Sequence, residues 1–431
     1  MPDPRVSAMA DGLVGSEILR IAADIRARMA EGAEICNLTV GDFSPAEFRV
    51  PERLAEETIA SLRAGETNYP PSDGVPPLRR AVAAFYERRL GLRYPLESIL
   101  VTGGSRPGLY CTYRAVVDPG DTVVYTVPSW NNNHYVHLVG ARGVPVACGA
   151  EDGFLPTRDL LEDAVRGARL LVLNSPLNPT GTGFDAGALA GICDLVLEEN
   201  ARRAPGERPL YLLYDQVYWM LAADSAPHVD PVSLRPALRD YTVYVDGISK
   251  AFAATGMRVG WTVGPADVTR RMASLLGHVG AWAPRAEQLA AARLLESDDE
   301  VDAFQARMRR ELQARLCALY EGLERLRARG HAVEAVPPTG SIYLSARFAL
   351  HGLRTPAGAP LRTNDDVRHY LLEAAGLAAV PFQAFGLLED TGWFRLSVGA
   401  VSLAEIEPLF GRLETALDAL EPSSVPSVSS V

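Results

Sequence analysis

From about residue 98 to 265 the chain alternates short apolar runs with helical stretches, and this alternation narrows the fold more than any other feature. The runs are 98–102, 122–127, 144–148, 170–174, 210–214, 242–245 and 259–263. Strands alternating with helices predict a mostly parallel sheet with helices on both faces, an α/β fold. In such sheets ligands bind beyond the carboxyl ends of the strands. Five of those ends are polar or glycine-rich. They read Gly103-Gly104-Ser105-Arg106, Pro128-Ser129-Trp130-Asn131, Asn174-Ser175-Pro176-Leu177-Asn178-Pro179-Thr180-Gly181, Asp215-Gln216-Val217-Tyr218 and Asp246-Gly247-Ile248-Ser249-Lys250. One site assembled from many loops is the expectation.

Around this block, apolar positions at helical spacing (Ile18, Leu19, Ile21, Ala22, Ile25, Met29) predict an N-terminal helix over 16–31, and 75–90 reads as another. Residues 284–329 read as one long helix, and 330–420 as a smaller α+β unit. The tail 422–431, Pro-Ser-Ser-Val-Pro-Ser-Val-Ser-Ser-Val, has too few large side chains to offset its ordering entropy and is expected to be disordered. The expected organisation is an N-terminal helix and arm (1–45) packing with the small domain, a large ligand-binding domain (46–300) and a small C-terminal domain (301–421).

Of the 431 residues, 53 are acidic and 42 basic, a net charge of −11. This argues against nucleic acid or an anionic membrane as partner. No apolar run is long enough to span a bilayer, and Met1-Pro2-Asp3-Pro4-Arg5 lacks a signal pattern, so a cytoplasmic location is expected. The five cysteines are scattered and do not suggest a metal or disulfide frame. His134 and His137 have no evident third ligand, and no metal site is expected.

Of the 42 basic residues only Lys250 is lysine; the other 41 are arginine. Arginine replaces lysine as a surface charge but cannot lose its proton to become a nucleophile. A lysine just past a strand end can attack a carbonyl and form a Schiff base when its amine is desolvated near other cations. Arg258, eight residues on, can supply a cation for a phosphate. An aldehyde cofactor carrying a phosphate is pyridoxal phosphate. That group needs a carboxylate at its ring nitrogen, for which Asp215 is the candidate. It also needs donors to its ring oxygen (Tyr218, Asn178), an aromatic neighbour (Trp130) and a helix N-terminus for the phosphate (Gly103-Gly104-Ser105-Arg106).

Asn178-Pro179-Thr180-Gly181, Asp215-x-x-Tyr218, Ser249-Lys250 and Arg258 together resemble the class I/II, fold-type I pyridoxal-phosphate aminotransferases. Further segments match in order: Leu38-Thr39-Val40-Gly41, Tyr69-Pro70-Pro71-Ser72-Asp73-Gly74, Pro338-Thr339-Gly340-Ser341-Ile342-Tyr343 and Phe394-Arg395-Leu396-Ser397. Pro128-Ser129-Trp130 is similar to the aspartate aminotransferase branch. The resemblance implies a large domain with a mostly parallel seven-stranded sheet sandwiched by helices, plus a smaller α+β domain. It implies a homodimer with shared active sites and transfer of an amino group from an L-amino acid, aspartate-like in this branch, to a 2-oxo acid. It assigns the Schiff base and the proton shuttle to Lys250 and the ring nitrogen to Asp215. Tyr218 and Asn178 go to the ring oxygen, and Trp130 to the ring face. The phosphate falls to Gly104, Ser105, Arg106, Ser249 and Arg258, with Tyr69 reaching in from a second subunit. Substrate contacts fall to Gly41, Trp130, Asn178 and Arg395, the last as a fork for the α-carboxylate.

Three departures bear on specificity. Gly247 stands where many members have a phosphate-binding serine. Phe382 stands where they have glycine, which predicts a narrowed donor pocket. In the segment Gly280-Ala281-Trp282-Ala283-Pro284-Arg285, Arg285 is, with Arg106, a candidate reader of an acidic side chain. The same cofactor also serves elimination, decarboxylation, cyclisation and oxidation, and the fold alone does not choose among them. A non-catalytic ligand-sensing module is the remaining alternative.

Overall fold

The computed structural model describes residues 5–15 and 17–422. Its seven-stranded sheet comprises β1 (Ile99–Thr102), β2 (Thr122–Val127), β3 (Arg142–Ala147), β4 (Leu170–Asn174), β5 (Tyr211–Asp215), β6 (Thr242–Gly247) and β7 (Gly260–Val263). The spatial order is β1-β7-β6-β5-β4-β2-β3. β7 runs antiparallel to both neighbours, and the other pairs are parallel. Each apolar run found in the sequence is a strand within one or two residues of its expected bounds.

Both faces of the sheet are covered. Leu213, Val243 and Val245 pack in a cluster with Val116, Met272 and Leu276. The alternate residues Leu212, Tyr214 and Tyr244 are also fully buried. Two buried faces explain why these strands read as continuous apolar runs and not as alternating ones.

Two compact units make up the chain. The larger contains residues 5–14, Phe48–Glu311 and Thr339–Ser341; the smaller contains Gly15–Glu47, Leu312–Pro338 and residues 342–422. The smaller unit holds the helix Glu17–Ala30 and an antiparallel sheet of β8 (Val333–Val336), β9 (Tyr343–Phe348), β10 (Val380–Pro381) and β11 (Trp393–Ser397), in the order β10-β11-β9-β8.

Two expectations change. The stretch 284–329 is two helices, Arg285–Leu295 and Asp298–Ala328, interrupted at Glu296-Ser297. The second begins with Asp298, Asp299 and Glu300, acidic residues that favour a helix start because they face unpaired N–H groups. In the tail, Glu421–Pro422 pairs antiparallel with Leu353–Arg354; residues 423–431 of the expected disordered tail lie outside the described residues.

The helix Ser105–Val116 follows β1 and lies against the sheet with almost no clearance. A Cβ on Gly108 would sit 2.7 Å from Thr262 Cγ2 on β7. Gly108→Val should therefore lift the helix or strain its rotamers and cost roughly 1–3 kcal/mol. Urea unfolding should show a lower midpoint at unchanged slope. An unchanged midpoint would mean the helix is free to shift.

Candidate active site

The carboxyl ends of β4, β5 and β6 place three chemical groups side by side. Asn174 on β4 is in register with Asp215, which is in register with Val245 on β6. Asp215 ends β5, and Lys250 sits in the one-turn helix Ile248–Ala251 just after β6. Tyr218 caps the short turn Trp219–Leu221 that follows Asp215. The Lys250 amine lies 5.9 Å from the centroid of the Tyr218 ring. Asn178 is buried, and its N–H donates to Asn174 Oδ1 at 2.8 Å.

Burial pushes the Asp215 carboxyl up to about 7, and the bond it accepts from the Val217 N–H offsets part of that. A buried carboxylate with so little donor support suits a cationic partner, such as a protonated ring nitrogen.

Beside these groups three glycines from separate elements touch. A Cβ on Gly247 would lie 2.8 Å from Gly260 Cα, and one on Gly260 would lie 2.6 Å from Ser105 N. A Cβ on Gly104 would collide with the Arg258 guanidinium. Gly104 also adopts φ +86°, a conformation suited to glycine, as it caps the helix Ser105–Val116. Arg258 Nη1 donates to Thr255 O at 2.7 Å, and Nη2 donates to Gly103 O at 3.1 Å. Backbone N–H groups at a helix start, a guanidinium held against glycine by two hydrogen bonds, and Ser249 one residue before Lys250 form a cradle that fits a phosphate. The same packing explains Gly247: a serine there has no room against Gly260.

Trp130 and Arg106 lie together, with the Arg106 guanidinium 4.5 Å from the indole centroid. Tyr69 is 82% exposed and meets Trp282 edge-on at 5.4 Å. The 280–285 segment adjoins the cradle, where the Gly103 N–H donates to Ala281 O at 2.9 Å. Arg285 is paired with Glu66.

In the smaller unit Arg395 is only 2% exposed. Its guanidinium lies between two rings, 4.7 Å from the centroid of Tyr343 and 4.9 Å from that of Phe385. Nη2 donates to Thr39 O at 2.6 Å. A Cβ on Gly41 would approach to 2.9 Å of the Tyr343 hydroxyl and 3.4 Å of Arg395 Nη1, so glycine keeps that approach open. Phe382 departs from the expectation of a narrowed pocket. It is fully buried, packed on Phe385 and stacked on Trp393 at 6.3 Å. It backs the ring that flanks Arg395.

Sequence reading missed Asp246, Tyr343 and Phe385. Asp246 and Tyr343 lie within quoted motifs and Phe385 lies three residues after Phe382, but none carries a spacing that announces its contacts.

Comparison with known proteins agrees with this geometry. The family described as aminotransferase class I and II matches residues 33–413. The aspartate aminotransferase of Rhizobium meliloti (strain 1021) is 32% identical over 408 residues, 94% of each chain. The aspartate/prephenate aminotransferase of Thermus thermophilus is 32% identical, covering 83% of this chain and 86% of the relative. Among solved structures, the Rhizobium meliloti aspartate aminotransferase superposes with a TM-score of 0.87 at 30% identity, covering 96% of this chain and 99% of that one. The Thermus thermophilus aspartate aminotransferase with maleate gives 0.84 at 29% identity, with the same coverage.

Asp215 yields a test without substrate. Its folded value of about 7 lies above the ordinary 3.8. Between those values the folded chain holds a proton that the unfolded chain releases, so this residue's contribution to stability falls as pH rises through that window. Asp215→Asn carries no such penalty. In cofactor-free protein it should melt several degrees above wild type at about pH 8, with the gap closing toward about pH 4. Melting curves across pH check this; a constant gap would mean that Asp215 does not titrate there.

Proposed function

The chain belongs to the class I and II aminotransferases, and we propose that within this family it moves the amino group of an acidic L-amino acid such as aspartate to a 2-oxo acid, with pyridoxal phosphate held at Lys250. The observation that carries this reading is the convergence of Lys250, Asp215 and Tyr218 on neighbouring strand ends beside the glycine cradle.

Pyridoxal phosphate, when bound, supplies an aldehyde for the amino group and a ring that draws electron density from the substrate α-carbon. The residues divide the remaining work. Lys250 is the sole side-chain amine in the chain and therefore its one candidate for attack on an aldehyde. With the group bound, the same amine would serve as the base that takes the substrate α-proton and the acid that gives it back. Asp215 would hold a proton on the ring nitrogen, a cation that would offset its unfavourable burial. Tyr218 and Asn178 would donate to the ring oxygen, and Trp130 would cover the ring face. Gly104, Ser105, Arg106, Ser249 and Arg258 would hold the phosphate, Ser105 and Arg106 through N–H groups at the helix start.

Arg395 takes the α-carboxylate, with Gly41 keeping the approach clear. Its rings and the Thr39 carbonyl hold the fork in place before substrate arrives. An acidic donor is supported by the names of the relatives and by the maleate bound to the Thermus thermophilus enzyme. Of the two arginines that could read its side chain, Arg285 is engaged by Glu66, which favours Arg106. Exposed Tyr69 supports a homodimer in which it reaches the partner's site. Among the described residues no helix is long and apolar enough to cross a membrane, and we place the enzyme in the cytoplasm.

Two expectations follow from these roles. Lys250→Arg keeps the charge and removes the amine. Turnover should fall by several orders of magnitude, and borohydride, which should label one peptide in the loaded wild type, should label none. Arg395→Lys loses the two-pronged geometry. It should raise KM for acidic, aromatic and aliphatic amino acids alike, by roughly ten- to a hundred-fold. Steady-state kinetics over a donor panel, with 2-oxo acids including prephenate as acceptors, tests both this and the donor class. A change of preference among side chains in Arg395→Lys would reassign that residue.

A further inference from the structure

Asp246 is 1% exposed and belongs to none of the roles above. It alternates on β6 with Val245, which faces the cluster around Met272, so its side chain points to the opposite face of the sheet. There it accepts from Trp219 Nε1 at 2.9 Å and from the Tyr86 hydroxyl at 3.1 Å, both on Oδ2. Its Oδ1 accepts from the Gly247 N–H at 2.7 Å.

Donor accounting defines the part this carboxyl plays. An indole N–H and a backbone N–H can only donate. The Tyr86 oxygen itself receives Gln216 Nε2 at 3.2 Å and Trp261 Nε1 at 3.3 Å. Its lone pairs are thus taken, and its one proton goes to Asp246. Every group around Asp246 donates, so its carboxyl accepts from all three, and these bonds favour the charged form against burial, which raises it to about 7. The chain of bonds continues to His228, whose Nε2 lies 3.3 Å from Gln216 Oε1 and whose burial pushes it down to about 4, leaving it neutral.

Two of the three donors belong to the turns that carry the chemistry. Trp219 follows Tyr218 directly. Gly247 opens the turn that holds Lys250. We propose that Asp246 is a positioning residue that fastens both turns to a single carboxylate and so sets the separation of the Lys250 amine from Tyr218. The inference rests on the roles assigned above to those two residues. It explains why an aspartate stands in so buried a place: an amide in its position would meet three donors with fewer lone pairs and a weaker hold.

Three variants of the full chain test it: Asp246→Asn, Asp246→Ala and the milder Trp219→Phe, which removes one donor and leaves the carboxylate. The loaded proteins are compared by urea midpoint, by kcat and KM for the donor, and by the absorption maximum of bound cofactor. Each is also freed of cofactor and exposed to an amine-acylating reagent, with the modification of the Lys250 peptide followed by mass spectrometry. Asp246→Asn should stay folded, lower kcat by roughly ten- to a hundred-fold with little change in KM, move the absorption maximum and alter the Lys250 labelling rate. Asp246→Ala should be worse, and Trp219→Phe should show the same pattern more weakly. A folded Asp246→Asn with wild-type kcat, spectrum and labelling overturns the proposal, as does a loss confined to stability. Should Asp246→Asn not fold, an unshifted spectrum and kcat in Trp219→Phe overturns it instead. Absence of borohydride labelling at Lys250 in the wild type would bring down the functional reading and this inference with it; labelling with no effect of the variants would bring down this inference alone.

Discussion

Backbone touching backbone is the constraint on which the ligand-binding end of the sheet depends. Gly104, Gly247 and Gly260 come from a helix start and two strand ends, and a single added methyl at any of them meets main chain or the Arg258 guanidinium. That closeness does two things at once. It lets the first turn of Ser105–Val116 bring its N–H groups beside the end of β6, and it leaves the Arg258 guanidinium against Gly104. A more generously packed junction would separate the N–H groups from the lysine turn, and no single group could then engage both.

Two aspartates at adjacent strand ends show how hydrogen bonding divides labour between like residues. Asp215 accepts the Val217 N–H, and burial leaves its charge poorly supported. Asp246, one strand over and on the opposite face, is ringed by three donors. The first is poised to take a cation, whereas the second is already satisfied by the protein. Burial raises both carboxyls, so the difference lies in the partners and not in solvent access.

The smaller unit uses another device for its cation. Arg395 is held between two aromatic faces, with one nitrogen committed to the Thr39 carbonyl. Aromatic faces attract a guanidinium through their quadrupole without neutralising it. The side chain is thereby fixed in direction. Phe382 contributes at one remove, by filling the space behind Phe385.

Local pattern was enough for the seven strands, for the two early helices and for singling out Lys250, the chain's sole side-chain amine, at a strand end. Buried strands between helices write themselves as short apolar runs, and a nucleophilic amine can come from only one side chain here. The motif residues Asn178, Asp215, Tyr218 and Arg258 were legible for a related reason: each sits at a strand end or a short step from Lys250, where spacing along the chain tracks spacing in the fold. What the tertiary structure alone decided lies in contacts across long separations. Tyr86 and Asp246 are 160 positions apart, Arg285 and Glu66 219, and Arg395 and Thr39 356. No periodicity encodes such meetings. Whether Gly247 lacks a hydroxyl or lacks room, whether Phe382 lines a pocket or backs a ring, and whether Arg285 is available or paired were each settled by which distant backbone happened to pack against it.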